Sequence, residues 1–211
     1  MEPVDQRLRE ALRVQFAERD TLMRRGAVAL GWKVGASRRE RLGGSVIGHL
    51  TSATRLRSGD EYRPGPGEAT YADAEVAVAI APGGVIAGYG VALELCDLAG
   101  TDEPAVIVAR NVFHRAFALG PFAPELTAPV GQLLLDGRLA AEAPVPADLS
   151  SRVERVAELL AAMSEELRTG ETIITGSVVQ VAVAPGQEVR AGFPGLGQAR
   201  TVRARTSPPG R

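Results

Sequence analysis

The sequence predicts an α+β chain in which strands outnumber helices. Three observations carry this. Only residues 5–26 and 151–168 repeat apolar side chains at helical spacing. Residues 76–93 carry no charge, yet Pro82-Gly83-Gly84 breaks them in the middle, as two buried strands joined by a tight turn require. The other apolar runs are short and punctuated by Gly and Pro, the pattern of strands and turns. At 211 residues the chain fits one domain, or one domain with an N-terminal appendage.

The first helix is expected over 5–26, with Val4, Leu8, Leu12 and Phe16 on one face, Asp5 as its cap and Gly26 at its end. Ala27 to Val34 reads as a strand. Gly31 and Gly35 flank Trp32-Lys33-Val34, so something approaches this backbone closely. Residues 37–70 are polar and read as short strands and turns, with a mobile segment or surface loop near 63–70. Although 76–93 is long enough for a membrane span, its central Pro-Gly-Gly and Gly88 and Gly90 argue for a hairpin instead. Residues 104–119 and 130–139 are expected as further strands, the latter with a turn at Asp136-Gly137. The second helix, 151–168, has Val153, Val156, Leu159, Leu160, Met163 and Leu167 as its stripe and a capping-box spacing from Ser151 to Glu154. Strands over Thr172–Val183, Glu188–Phe193 and near Ala199–Ala204 follow. A disordered tail is expected over 206–211.

Composition narrows the function. The chain is 45% hydrophobic and 23% charged, which suits a globular core. Its net charge of −1 shows no basic excess, so nucleic acid is not an expected partner. The single cysteine, Cys96, excludes an internal disulfide framework and a cysteine-built zinc site. It reads as a small buried apolar residue. The start, MEPVDQRLRE, lacks the apolar run of a signal peptide, so a cytoplasmic location and no membrane are expected. The basic residues are 23 Arg and one Lys, Lys33. Lysine differs from arginine in being able to lose its proton when buried, which makes this exception a candidate for chemistry.

Asp73-Ala74-Glu75 opens the uncharged stretch. Strand periodicity points both carboxylates one way. Glu94 closes the stretch inside an apolar run, where an unpaired carboxylate is costly. A hairpin turning at Pro82–Gly84 brings Glu75 and Glu94 near each other. Converging carboxylates need a cation or a proton, and hard oxygen ligands suit Mg²⁺ or Mn²⁺. An isolated Asp-x-Glu is more often the wet face of an edge strand. Thr175-Gly176-Ser177 interrupts an apolar strand and offers N–H and hydroxyl groups to an anion, or is an ordinary bend. His49 and His114 read as packed or surface histidines.

Together these segments resemble the 2-keto-4-pentenoate hydratase / 2-oxohepta-3-ene-1,7-dioate hydratase group of the fumarylacetoacetate hydrolase superfamily. Gly31-Trp32-Lys33-Val34-Gly35 is similar to its G-Y-K-x-G, Asp73-Ala74-Glu75 to its E-x-E, and Ala92 to Asp97 to its A-L-E-I-V-D. Thr172 to Ser177 is similar to I-I-L-T-G-S, and Pro185 to Gly197 to P-G-D-x-V-x-A-D-F-G-G-L-G. The resemblance runs from about residue 7 to 204, and the last motif is the most specific.

The resemblance implies a β-rich roll over 71–205, which binds the metal, and a small N-terminal helix and α/β part over 1–70. It implies Mg²⁺ or Mn²⁺ held by Asp73, Glu75 and Glu94, with Lys33 and Glu75 catalytic and Asn111, Thr175, Gly176 and Ser177 binding substrate. Lys33, near a cation and partly buried, is expected to have a lowered pKa and to move protons. The substrate would be a small 2-oxo acid. A 2-hydroxy-2,4-dienoate would be hydrated to a 4-hydroxy-2-oxo acid. The alternatives are decarboxylation of a 2-oxo-3-enedioate, biosynthetic lyase or cyclase chemistry on the same scaffold, or a non-catalytic subunit partnering an active homologue. A homo-oligomer, or a hetero-complex with a related decarboxylase, is the implied assembly. The chain departs from the pattern in four places. Its first ligand is Asp, and the gap between Glu75 and Glu94 is short. Arg110 to Phe117 lacks both serines of the D-N-A-S-S-x-G-F stretch. The glycine-rich loop before the second helix is replaced by 140–148. The pocket is therefore expected to be remodelled.

Overall fold

The computed structural model describes residues 5–35, 45–98, 100 and 102–205. Within 37–70, residues 37–44 lie outside the described residues, as do the tail 206–211 and Val4. Helix α1 spans Gln6–Arg24, and Asp5 Oδ1 accepts from the N–H groups of Arg7 and Leu8, at 2.7 and 3.2 Å. Leu8, Leu12 and Phe16 are buried as their spacing predicts. Arg19 continues that face. Its guanidinium lies 4.7 Å from the Phe16 ring and 5.3 Å from Trp32, and it pairs with Glu165 at 2.5 Å. The helix is thus anchored at its far end by a charge stacked on aromatic faces.

Two sheets follow. The first runs β2 (Val46–Thr51), β1 (Ala29–Gly35), β10 (Thr172–Ile174), β5 (Thr70–Ile80), β6 (Ile86–Asp97), β7 (His114–Ala123), β3 (Arg55–Leu56), with β11 (Val179–Ala182) also on β5. The second runs β4 (Glu61–Tyr62), β13 (Gly197–Arg203), β12 (Glu188–Phe193), β8 (Val130–Leu135), β9 (Arg138–Pro144). The α+β class predicted from the sequence is the class observed. The uncharged stretch is the β5–β6 hairpin, closed by a 3₁₀ turn at Pro82–Gly84. No helix among the described residues is long and apolar enough to cross a membrane.

β1 lies parallel to β10, with Gly31 opposite Thr172. A Cβ at Gly31 would stand 1.9 Å from the Thr172 carbonyl oxygen, which is the close backbone approach that the flanking glycines predict. The segment 63–70 is held by Glu68, which accepts from the Gly65 N–H at 3.0 Å, the Tyr62 hydroxyl at 2.7 Å and the Thr70 hydroxyl at 3.0 Å. It is a pinned turn.

Three expected elements differ. Residues 104–119 are not one strand: α2 (Pro104–Ala109) precedes β7. Pro104 presets the first helical φ, and the Gln15 side chain on α1 donates to the Val108 carbonyl at 2.6 Å, so a tertiary contact settles a β-branched run as helix. The second helix, α3, spans Leu149–Ala162, starting two residues earlier and stopping six earlier than expected. Asp148 precedes it without a side-chain cap, so the Ser151–Glu154 box does not form. Ser164 at φ 60° ends the run. The stretch 172–183 is two strands, β10 and β11, separated at Thr175-Gly176-Ser177.

The main core lies where α1, α3 and the second sheet cover one face of the first sheet: Ala72, Ala74, Val76 and Val78 of β5 belong to it. The other parity of β5 carries Asp73, Glu75 and Ala77. Ala77 joins a smaller cluster with Leu50, Ala92, Phe117 and Ile174. The polar groups therefore sit at one end of a face whose other end is apolar.

Candidate active site

Strand parity and register assemble the cluster. On the β5–β6 ladder Asp73 stands opposite Glu94, and Glu75 opposite Ala92. A register shift at Ala79/Ile80 supplies the irregularity the unequal arms need. Lys33 reaches in from β1 and donates to Glu94 Oε1 and to the Val112 carbonyl oxygen, the latter at 3.1 Å. Lys33, Asp73, Glu75 and Glu94 are at most 3% exposed, so their charges must be settled by one another or by a ligand. They line a cavity of about 520 Å³ together with Val34, Leu98, Val112, Phe113, Ser177 and Gln180.

The break between β10 and β11 lies across from Glu75. Thr175 N–H and Val178 N–H still bond to β5 at Val76 and Ala74, but the residues between bulge out. Gly176 N–H donates to Glu75 Oε2 at 2.7 Å, and Ser177 Oγ donates to Asp73 Oδ1 at 2.7 Å. Gly176 has φ +100°, a conformation that favours glycine. Arg152 on α3 fixes the bulge by donating to the Thr175 carbonyl at 2.7 Å.

The structure thus brings Lys33, Asp73, Glu75, Glu94 and Ser177 together on one cavity. It places the other expected substrate-binding residues differently. The amide of Asn111 accepts from the His49 N–H at 2.7 Å and donates to the His49 carbonyl at 3.0 Å, which leaves it tying β2 to the turn before β7. Thr175 Oγ1 donates to the Val76 carbonyl at 2.9 Å. Gly176 and Ser177 are engaged with the carboxylates themselves. Of the expected metal ligands, Asp73 and Glu94 form, with Cys96, a group whose ligand atoms all lie within 4.8 Å of one another, and Glu75 stands outside that trio.

Two participants escaped the sequence reading. His114 Nδ1 lies 2.7 Å from Glu94 Oε1, and its Nε2 lies 3.0 Å from Thr54 Oγ1. Cys96 is buried, but it is no mere apolar filler: its thiol donates to Asp73 Oδ2 at 3.2 Å. Cys96 is two residues beyond Glu94 on one strand, so parity alone puts it on the site face. His114 gave no such signal, because its contact depends on a register shift between β6 and β7.

The electrostatics follow from burial and pairing. Burial, then the Glu94 charge, raises Asp73 above the usual carboxylate range. The same two causes raise Glu75 well above it. Burial acts against ionised Glu94 too, but Lys33 and the hydrogen bond from His114 outweigh it and hold this carboxyl at about 2. Burial alone would lower the Lys33 amine. The Glu94, Cys96 and Glu75 charges overcome it and raise the pKa above 10.5, contrary to the lowered value expected from the sequence. Burial pushes His114 down, against the pull of Glu94. Asn111, Val112 and Phe113 all have positive φ, at 58°, 53° and 64°. Three consecutive non-glycine residues in this region are strained, and two of them, Val112 and Phe113, line the cavity.

No protein-family profile and no curated protein matches the chain. Solved structures do. The chain is 22% identical to 4-oxalocrotonate decarboxylase from Pseudomonas putida G7 in complex with magnesium and adipate, with a TM-score of 0.81 over 93% of this chain and 86% of that one. The calcium and acetate complex of the same enzyme gives 23% identity and a TM-score of 0.81, over 93% and 85%. Fumarylpyruvate hydrolase from Pseudomonas aeruginosa, with Mn²⁺ and pyruvate, is 18% identical with a TM-score of 0.60, over 82% and 88%. The fold is the fumarylacetoacetate-hydrolase-like roll that the sequence motifs imply.

Proposed function

We propose that this chain is a divalent-metal-dependent lyase that adds water to a 2-hydroxy-2,4-dienoate and releases a 4-hydroxy-2-oxo acid. The observation that carries this reading is the convergence of three buried carboxylates and the only lysine of the chain on one cavity. Three carboxylates face one ammonium, and a divalent cation would balance the difference. The donors are hard oxygens, and Glu94 Oε2 is buried without a hydrogen-bond partner. Asp73, Glu75 and Glu94 would hold the ion, Mg²⁺ or Mn²⁺. When bound, the ion supplies Lewis-acid stabilisation of the negative charge that grows on the oxygen of a 2-oxo acid.

The chain's own groups do the rest. Lys33, kept protonated by Glu94, presents a fixed positive charge and an N–H donor to the anionic end of the substrate. Glu75, a carboxylate when the ion is bound, would take the proton of the enol hydroxyl and pass it to the terminal carbon of the dienol, which becomes an α,β-unsaturated ketone. It would then take a proton from the water that adds to the distal alkene carbon and return it to the carbon beside the ketone, which completes the 4-hydroxy-2-oxo acid. Val34, Leu98, Val112 and Phe113 give the cavity an apolar side for the hydrocarbon arm and limit competing water. A second reading, loss of CO₂ from a 2-oxo-3-enedioate through the same stabilised charge, draws on the likeness to 4-oxalocrotonate decarboxylase.

The test is a panel of dienoates and 2-oxo-3-enedioates with Mg²⁺ or Mn²⁺. Hydration gives loss of the dienoate's ultraviolet absorbance and a product heavier by one water. Release of CO₂ supports the second reading. Neither change, together with no divalent-ion binding by calorimetry, leaves a non-catalytic subunit. Lys33→Arg keeps the charge but not the compact geometry, and should lower turnover by about 100-fold or more. Full activity in that variant removes Lys33 from the mechanism.

A further inference from the structure

We infer that Cys96 is a ligand of the cation in this site, and that the site therefore prefers thiophilic ions to Mg²⁺. The inference rests on the reading of the cavity as a metal site and goes beyond the oxygen ligands assigned there. Three independent observations point to it. The thiol of Cys96 and one carboxylate oxygen each from Asp73 and Glu94 lie within 4.8 Å of one another, a spacing that a single ion can span. All three residues line the same cavity. Glu94 is 0% exposed, and its Oε2 is a buried acceptor without a hydrogen-bond partner among the described residues.

The neighbouring groups favour the same arrangement. Asp73 Oδ2 already receives the Cys96 thiol at 3.2 Å and the Gln180 amide at 3.2 Å, while Ser177 holds Oδ1. The sulfur is therefore turned toward the carboxylate that would share the ion. As the S–metal bond forms, the thiol proton passes to solvent and no electrons are transferred. A mixed thiolate and carboxylate set binds Zn²⁺, Co²⁺ and Cd²⁺ in preference to Mg²⁺, which demands hard oxygen ligands and keeps its waters.

The experiment is a titration of the full chain with Co²⁺, followed by absorption, beside calorimetry with Cd²⁺ and Mg²⁺. Wild type should show a thiolate-to-cobalt charge-transfer band in the near ultraviolet and bind Cd²⁺ more tightly than Mg²⁺. Cys96→Ser and Cys96→Ala should lose the band and lose about tenfold or more in Cd²⁺ affinity, with Mg²⁺ affinity changed far less. The wild-type spectrum is decisive even where a variant folds poorly. Co²⁺ binding with no charge-transfer band overturns the thiolate assignment and leaves the oxygen-ligand site standing. Failure of all three ions to bind overturns both readings.

Discussion

Lys33 and Glu94 are buried together, and neither side chain has solvent to fall back on. Removing one partner of such a pair leaves an uncompensated charge, which typically costs 3–5 kcal/mol. Lys33→Met should therefore lower stability by about 3 kcal/mol in urea unfolding. The double variant Lys33→Met/Glu94→Gln should recover part of that loss, because the orphan charge goes with its partner. Equal losses in the single and double variants would mean that Lys33 contributes packing alone. His49 poses the opposite problem. It is buried with both ring nitrogens unpartnered, and burial, aided by the His114 and Arg19 charges, lowers its pKa to about 3. Above pH 6.5 the ring is neutral in both folded and unfolded chains and adds no pH dependence to stability. As the pH falls from 6.5 to about 3, only the unfolded chain takes up the proton, so stability drains away over that window. His49→Leu should flatten the stability profile there by about one proton's worth of slope, about 1.4 kcal/mol per pH unit at most. An unchanged slope in denaturant titrations at pH 4 to 7 would place the acid sensitivity elsewhere.

The bulge between β10 and β11 is the element that turns a sheet face into a site. A regular strand across from Glu75 would aim its N–H groups into the ladder. The bulge turns one N–H onto Glu75 and one hydroxyl onto Asp73 instead. Gly176 makes this possible at φ +100°. A Cβ there would meet Arg152 Nη1 at 3.1 Å and the Val34 carbonyl at 3.4 Å. Gly176→Ala should cost about 1–3 kcal/mol from backbone strain. It should also weaken divalent-ion binding, because Glu75 loses a fixed partner. Calorimetric titration of a variant that remains folded separates the two effects. Unaltered binding would show that the Gly176 N–H does not orient Glu75. In the sequence this element is visible only as small residues interrupting an apolar run. Its position is legible there, whereas its purpose depends on which β5 residue lies opposite.

For the molecule as a whole, what the sequence reveals is what strand parity and local turn chemistry control. The β5–β6 hairpin, the cap of α1 and the placing of Asp73, Glu75 and Glu94 on one face all follow from period two and from Pro-Gly-Gly. The run at 104–109 does not, because Val106, Ile107 and Val108 favour strand locally and are overruled by packing against α1. Nor does His114, whose partner is chosen by a shifted register between distant strands. Charge balance is likewise a property of the assembled fold. Folding gathers the three carboxylates of the β5–β6 hairpin about a lysine from β1, and burial with the Glu94 charge raises the pKa values of Asp73 and Glu75. An ion that binds only the folded chain should therefore stabilise it by mass action. At about one hundred times its dissociation constant, Mn²⁺ should add about 2.7 kcal/mol and raise the melting temperature accordingly. Asp73→Asn removes one carboxylate charge while keeping the side chain's shape. Without the ion this variant should be at least as stable as wild type, because one buried repulsion is gone, yet its melting temperature should barely respond to Mn²⁺. Scanning calorimetry of both proteins with and without the ion decides the matter. An equal rise in wild type and variant would mean that the ion binds elsewhere on the molecule.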